Sequence, residues 1–150
     1  MSIAAWKDIN WPLVDKRILR YQTRIYKAAK EGNISKAKCL QKRLLRSTDA
    51  KLIAVRLVTT LNKGKTTPGV DGQIYVTDIE KIKLVKQLRL DRKALPICRV
   101  YIPKPGKSEK RPLRIPTVSD RAKQLLCKLA LEPEWEARFE INSYGSRPGR

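Results

Sequence analysis

Histidine is absent from the 150 residues. That removes imidazole acid–base chemistry, Ser-His-Asp triads and every metal site that uses a histidine ligand. Cysteine occurs three times, at Cys39, Cys98 and Cys127, with no CxxC spacing. An odd number that far apart is no disulfide framework, and the expectation is reduced, buried thiols in a cytoplasmic protein of the bacterial cytosol or nucleoid. No apolar run reaches membrane-spanning length, because Lys128 interrupts the longest. The opening MSIAAWKDINW has neither the basic-then-apolar order of a signal peptide nor the Arg- and Ser-rich pattern of a transit peptide. Acidic residues are scarce, 14 against 34 Lys and Arg, which leaves a net charge of +20 spread along the chain. A field of this sign attracts polyanions and favours nucleic acid over an apolar small molecule; no membrane partner is expected.

A hydrophobic fraction of 41% in a chain of this length is enough for a packed core. Pro12 opens a first helix, in which Val14, Ile18, Tyr21, Ile25 and Ala28 form an apolar stripe. Arg17, Arg20, Arg24 and Lys27 form a second stripe beside it. Glu31-Gly32-Asn33 ends this helix. Ser35 is the expected cap of a second one, with Ala37, Leu40 and Leu44 inward and Lys36, Lys42, Arg43 and Arg46 on the other side. A solvated face is the ordinary reading of one basic helix. Two in succession with hardly any acidic partners lack the Glu–Lys pairing of such a face, and binding becomes the better reading.

Ser47-Thr48-Asp49 breaks the chain before Leu52, Ile53, Ala54, Val55, Leu57, Val58 and Leu61, a segment apolar nearly all round and therefore expected to be buried. NKGKTTPGVDGQ, residues 62–73, is a loop carrying Lys63 and Lys65. Its Asp71 is read as closing an Asp-Gly turn rather than as a catalytic carboxylate. Thr77 and Glu80 have capping-box spacing and open a helix with expected core positions Ile79, Ile82, Val85 and Leu88, ending before Pro96.

ICRVYIPKPGKSEKRPLRIPT, residues 97–117, reads as a β-hairpin. Apolar runs at 97–102 and 113–118 flank a turn, four prolines keep the chain extended, and the net charge is +5. Ser119-Asp120 starts a last helix with Ala122, Leu125, Leu126 and Leu129 inward, Pro133 kinking or restarting it, and Trp135 and Phe139 as further core anchors. Glu132, Glu134, Glu136 and Glu140 form the acidic cluster of the chain. A single stripe on a helix does not supply the converging oxygens of a magnesium site or a metal-dependent nuclease, so no metal ligand is assigned. INSYGSRPGR is a basic terminal loop with Arg147 and Arg150.

These motifs, in this order, resemble the reverse transcriptase and maturase proteins encoded by group II introns. The resemblance is carried by Trp6 to Trp11, LQKRLLRS, AVRLVTTLNKGKTTPGVDG, the hairpin, SDRAKQ, LALEPEWEARFE and SYGSRPGR. It departs at Arg114, where the family usually has Gly, and at Ser146, where it has Phe. It implies an α+β arrangement that is an incomplete right-hand polymerase fold. Residues 1–62 would be an N-terminal helical RNA-binding extension, 63–76 a Gly/Pro loop, and 77–150 the fingers subdomain with the start of the palm.

The resemblance further implies a parent protein that binds its intron RNA as a ribonucleoprotein, promotes splicing, and copies RNA into DNA during intron mobility with an RNA template and a DNA primer or target. The catalytic aspartates and their Mg2+ would belong to the remainder of the polymerase, and no catalytic residue or cofactor is assigned to this stretch, which is expected to be inactive alone. Under this resemblance Arg17, Arg20, Arg24, Lys27, Lys36, Lys42, Arg43, Arg46, Lys63 and Lys65 contact RNA. Lys104, Lys110, Arg111 and Arg114 face nucleotide or template phosphates. A self-contained basic RNA-binding protein without polymerase function is the alternative.

Overall fold

In the computed structural model, residues 5–106, 108–140, 142 and 143 are described. The fold is α+β: five α-helices and one two-stranded antiparallel hairpin among these residues. Arg147 and Arg150 lie outside them.

Helix α1 (Trp11–Lys30) starts where Asn10 accepts a hydrogen bond from the Leu13 N–H at 3.1 Å, with Pro12 in the first turn. Gly32, at φ +72°, reverses the chain at once. Asn33, not Ser35, therefore caps α2 (Ile34–Arg46), its side chain accepting from the Lys36 N–H at 3.0 Å. Ser47 caps α3 (Thr48–Arg56) through the Ala50 N–H. Ala50, Leu52 to Val55 and Val58 are buried, as an all-round apolar helix requires. The helix then widens over 57–61, where Asn62 N–H reaches back five residues to the Leu57 carbonyl. At the end of this wider turn Leu61 is exposed, contrary to expectation.

Helix α4 (Asp78–Gln87) opens on a complete capping box between Thr77 and Glu80. It buries Leu84, Val85 and Leu88, whereas Ile79 is 80% exposed. At about 100° per residue Ile79 points roughly opposite Leu88, so one helix face cannot bury both. The helix ends at Gln87, well before Pro96.

Strands β1 (Cys98–Pro103) and β2 (Lys110–Ile115) pair from Cys98 with Ile115 to Pro103 with Lys110. The second strand thus starts three residues before the apolar run at 113–118, and Val118 already belongs to α5 (Val118–Arg138), capped by Thr117. Lys104 N–H donates to the Glu109 carbonyl at 3.0 Å. Alternation from that pair puts Tyr101/Pro112 and Pro103/Lys110 at non-hydrogen-bonded positions, where a residue without N–H is tolerated.

Helix α5 packs against α1, α2 and α3 in one core with Trp6, Leu44, Val55, Leu84, Leu88 and Leu126. Pro133 does not restart it; one continuous helix runs through the proline. A proline cannot donate to the carbonyl four residues back, here that of Leu129. Gln22 of α1 donates to this carbonyl at 3.1 Å, and Gln41 of α2 donates to the next, Ala130, at 3.2 Å and to Glu134 at 2.7 Å. The break in the ladder therefore becomes a polar tie between three helices. Trp135 and Phe139 are not core anchors: about half of each is exposed, continuing a stripe with Leu131. The thiols are also less buried than expected, Cys39 being exposed and Cys98 and Cys127 half-buried. Burial pushes the Cys127 thiol up.

Candidate nucleic-acid surface

The apolar side of α1 and α2 is committed to the core, and that commitment fixes where their cations point. Arg20, Arg24, Lys27, Lys36, Lys42, Arg43 and Arg46 are exposed. Lys63 and Lys65 are exposed on the short turn Lys63–Thr66. Of the ten helix and loop candidates, Arg17 alone makes an ion pair among the described residues, with Asp49 at 3.7 Å. Two further cations are used internally. Arg56 lies 4.5 Å over the Trp11 ring, and Lys81 lies 5.7 Å over Trp6, whose ring meets that of Trp11 edge-on. The molecule thus separates cations that seal the aromatic corner from cations left for solvent.

The hairpin divides its charge between two faces, since opposed residues share a face and successive ones alternate. Arg99 and Arg114 are directly opposed, and Tyr101, Pro112, Pro103 and Lys110 continue the same face. Arg111 lies on the other face with Cys98, Val100, Ile102, Leu113 and Ile115. Lys104 is held by Glu109 at 2.7 Å, so part of its charge is spent at the turn. The four hairpin candidates are therefore not brought together: Lys110 and Arg114 share one face, Arg111 takes the other, and Lys104 closes the tip. Among the described residues the hairpin pairs with itself and makes no substantial contact with a helix. Val100, Tyr101 and Leu113 are each about half exposed.

Sequence reasoning missed the first turn of α5. Asp120 accepts from the Leu95 N–H at 2.9 Å and the Thr117 hydroxyl at 3.0 Å. Lys123 reaches Asp91 at 3.0 Å and the Lys93 carbonyl at 2.8 Å. This bond lowers the Asp91 carboxyl below its usual range and raises the Lys123 ammonium. Arg121 turns to the other side and donates to the Gly64 carbonyl at 2.9 Å and to the Thr67 carbonyl. Desolvation lowers its guanidinium pKa, and Asp71 opposes that shift. One helical turn thus fastens both irregular segments, 62–76 and 88–97. No carboxylate spacing announces this, because three of its partners are backbone carbonyls and one is a backbone N–H.

Asp71 accepts from the Gln73 N–H at 3.2 Å, the turn-closing role expected of it. Burial, with Asp71 and Glu80 nearby, pushes the Tyr75 hydroxyl up. Glu132 pairs with Lys128 at 3.6 Å and Glu134 with Arg138 at 2.6 Å. No group of three or more Cys, Asp and Glu side chains among the described residues converges as a metal site. No helix there is long and apolar enough to cross a membrane.

Residues 6–88, more than half of the chain, match the family model of the N-terminal domain of reverse transcriptase. The chain belongs to this family. Its relatives include proteins named as group II intron-encoded and as maturase-like. It is 38% identical over 92 residues to "Group II intron-encoded protein LtrA" of Lactococcus lactis subsp. cremoris, covering 59% of this chain and 15% of that protein. It is 29% identical over 156 residues to "Maturase-like protein 1" of Euglena gracilis, covering 97% of this chain and 32% of that protein. Against "Protein YkfC" of Escherichia coli (strain K12) the identity is 39% over 99 residues, covering 62% and 26%. The chain therefore spans a third or less of the length of these relatives.

Proposed function

We propose that this chain is the RNA-gripping part of a group II intron reverse transcriptase and maturase. Its helical cations hold intron RNA, and its hairpin contacts template and nucleotide phosphates in the whole polymerase, which promotes splicing and copies RNA into DNA. The observation that carries the reading is the set of exposed cations on α1, α2 and the 63–66 turn, which among the described residues have no carboxylate partner. Cations held apart from acids on a folded surface repel one another, and phosphates relieve that repulsion while releasing condensed counterions. The domain division expected from the sequence, with a helical extension over 1–62, a loop over 63–76 and fingers with the start of the palm over 77–150, belongs to this proposal, as do the Mg2+ of the whole polymerase and a location in the cytoplasm.

The test is Arg43→Ala/Arg46→Ala, with binding to a fluorescein-labelled stem–loop RNA followed by anisotropy across a salt series. Affinity falls, and the slope of log affinity against log salt shrinks by about 1.5, as the loss of two phosphate contacts requires. An unchanged affinity and slope would remove α2 from the RNA surface.

For the hairpin, Arg guanidinium forks suit bidentate phosphate contact. In a full-length enzyme, Arg111→Ala raises the Michaelis constant for nucleotides or lowers turnover; normal values for both would leave Arg111 without a nucleotide role. The face carrying Arg99, Tyr101, Arg114 and Lys110 suits a nucleic-acid strand, since a ring beside cations offers a stacking platform.

A further inference from the structure

We infer that Arg121 is the positioning residue for the Lys63 and Lys65 cations, a role that rests on the RNA-binding reading above and gives one part of that surface its rigidity. The Lys63–Thr66 turn buries no side chain of its own, and a 3₁₀ turn this short has little intrinsic persistence. Locally, the Lys65 N–H donates to the Asn62 carbonyl at 3.1 Å and the Lys65 ammonium to the Thr60 carbonyl at 3.4 Å, and a further hold comes from across the fold. Arg121 donates from its two terminal nitrogens to the carbonyls of Gly64, inside the turn, and of Thr67, just past its end. Thr67 N–H closes the same span by donating to the Gly64 carbonyl at 3.1 Å.

Two observations show that this contact is built in. A Cβ at Gly69 would lie 2.5 Å from the Thr117 Cα and 2.7 Å from its nitrogen, so the loop backbone lies directly against the start of α5. The helix itself is fixed, since Ala122 and Leu126, one and five residues beyond Arg121, are fully buried. Arg121 thus stands on a rigid element and reaches a loop whose backbone has no room to shift toward it. Its charge is directed at carbonyl oxygens and leaves Lys63 and Lys65 exposed. Ordering a turn before RNA arrives removes part of the entropy cost of binding, so the fork acts on affinity without touching the ligand. A lysine at position 121 keeps the charge but cannot present two donors in a fixed plane.

The experiment is a mutant cycle on the full chain: Arg121→Lys, Lys63→Ala/Lys65→Ala, and the triple variant. Binding to the same labelled stem–loop RNA is measured across salt at a temperature where each variant is folded by circular dichroism. Lys63→Ala/Lys65→Ala weakens binding about tenfold and flattens the salt slope by about 1.5. Arg121→Lys weakens it several-fold at unchanged net charge, and the triple variant binds no more weakly than the lysine pair variant. A purely structural arginine gives losses that multiply in the triple variant, and that result overturns the inference, as does Arg121→Lys binding as tightly as the parent. If the lysine pair variant binds normally while Arg43→Ala/Arg46→Ala does not, the turn is outside the RNA surface and the inference fails while the wider reading stands. If neither responds, the RNA reading itself fails.

Discussion

The helical body and the hairpin are both strongly basic, yet they relate to their charge in opposite ways. In the body each cationic helix has a second face sunk in a shared core, and residues such as Ile25, Leu44 and Leu126 are fully buried. Stability there rests on the buried face, and the solvent-facing cations of α1 and α2 add no packing to it. The hairpin has no such second face. None of its residues is fully buried, it pairs with itself, and the opposed Arg99 and Arg114 place like charges across a non-hydrogen-bonded pair, where side chains approach most closely. An isolated two-stranded ribbon is marginal in water even without that repulsion. The body is a platform that carries charge on one face and buries the other, and the hairpin carries opposed like charges with little buried surface to offset them.

The largest effect expected from this contrast comes from truncating the same residue type in each region. Leu126→Ala removes a fully buried side chain at the meeting of α5 with α1 and α3 and is expected to cost about 2–5 kcal/mol in urea unfolding. Leu113→Ala in the hairpin, about half exposed, is expected to change global stability by no more than about 0.5 kcal/mol. Equal losses would mean that the hairpin folds as part of the core and would break the comparison.

Gly69→Ala comes next, because the loop lies against Thr117, where the hairpin passes into α5. The added methyl would meet Thr117 backbone at 2.5 Å, and backbone cannot swing aside as a long side chain does. An overpacking cost of about 1–3 kcal/mol is expected, again by urea unfolding. A neutral result would show that the loop can lift away from α5 without penalty.

Arg114→Thr sharpens the hairpin half. Removing one of two opposed cations and adding a β-branched residue is expected to stabilise the strand pair by about 0.2–1 kcal/mol, read from amide exchange of the β1 and β2 backbone. Affinity for a single-stranded RNA is expected to fall in the same variant. Faster exchange in Arg114→Thr would show that the arginine pair is satisfied within the protein.

How much of this could be read beforehand follows from how local each signal is. The capping box at Thr77, the helix start at Pro12, the Asp71 turn and the existence of the hairpin depend on residues within a few positions of one another, and all four are present. The burial of Ile79, Trp135 and Phe139 was misread because apolar identity does not say which face of a helix meets a neighbour. The shift of β2 to Lys110 has the same origin: strand limits follow the partner's hydrogen bonds, and Pro112 fits once its register is known. Pro133 did hold a usable signal, an orphaned carbonyl at Leu129 that some donor must meet, but nothing in the chain singles out Gln22 as that donor. The Arg121 fork is the least legible element, since carbonyl partners have no residue type. For the cationic surface the order was reversed, as composition announced it and the fold decided which members face solvent.

The smallest expected effect tests whether α4 belongs with the body on local grounds as well as through its buried residues. The Glu80 carboxylate accepts from the Thr77 N–H at 2.9 Å and the Val76 N–H at 3.0 Å, while its own N–H donates to the Thr77 hydroxyl. The bond from Thr77 is the main reason its pKa falls below the ordinary 4.5. A carboxyl whose folded pKa is depressed stabilises the folded state above its unfolded pKa, and the contribution is lost as pH falls through the folded value. The start of α4 is therefore expected to loosen as the pH is lowered below 4.5, seen as faster exchange of the Thr77 to Lys81 amides. In Glu80→Gln the amide side chain still accepts a hydrogen bond but does not titrate, so the acid-dependent step at these amides disappears while α4 stays docked through Leu84, Val85 and Leu88. If the step persists in Glu80→Gln, another group controls the acid sensitivity of this helix, and the capping box does not set its start.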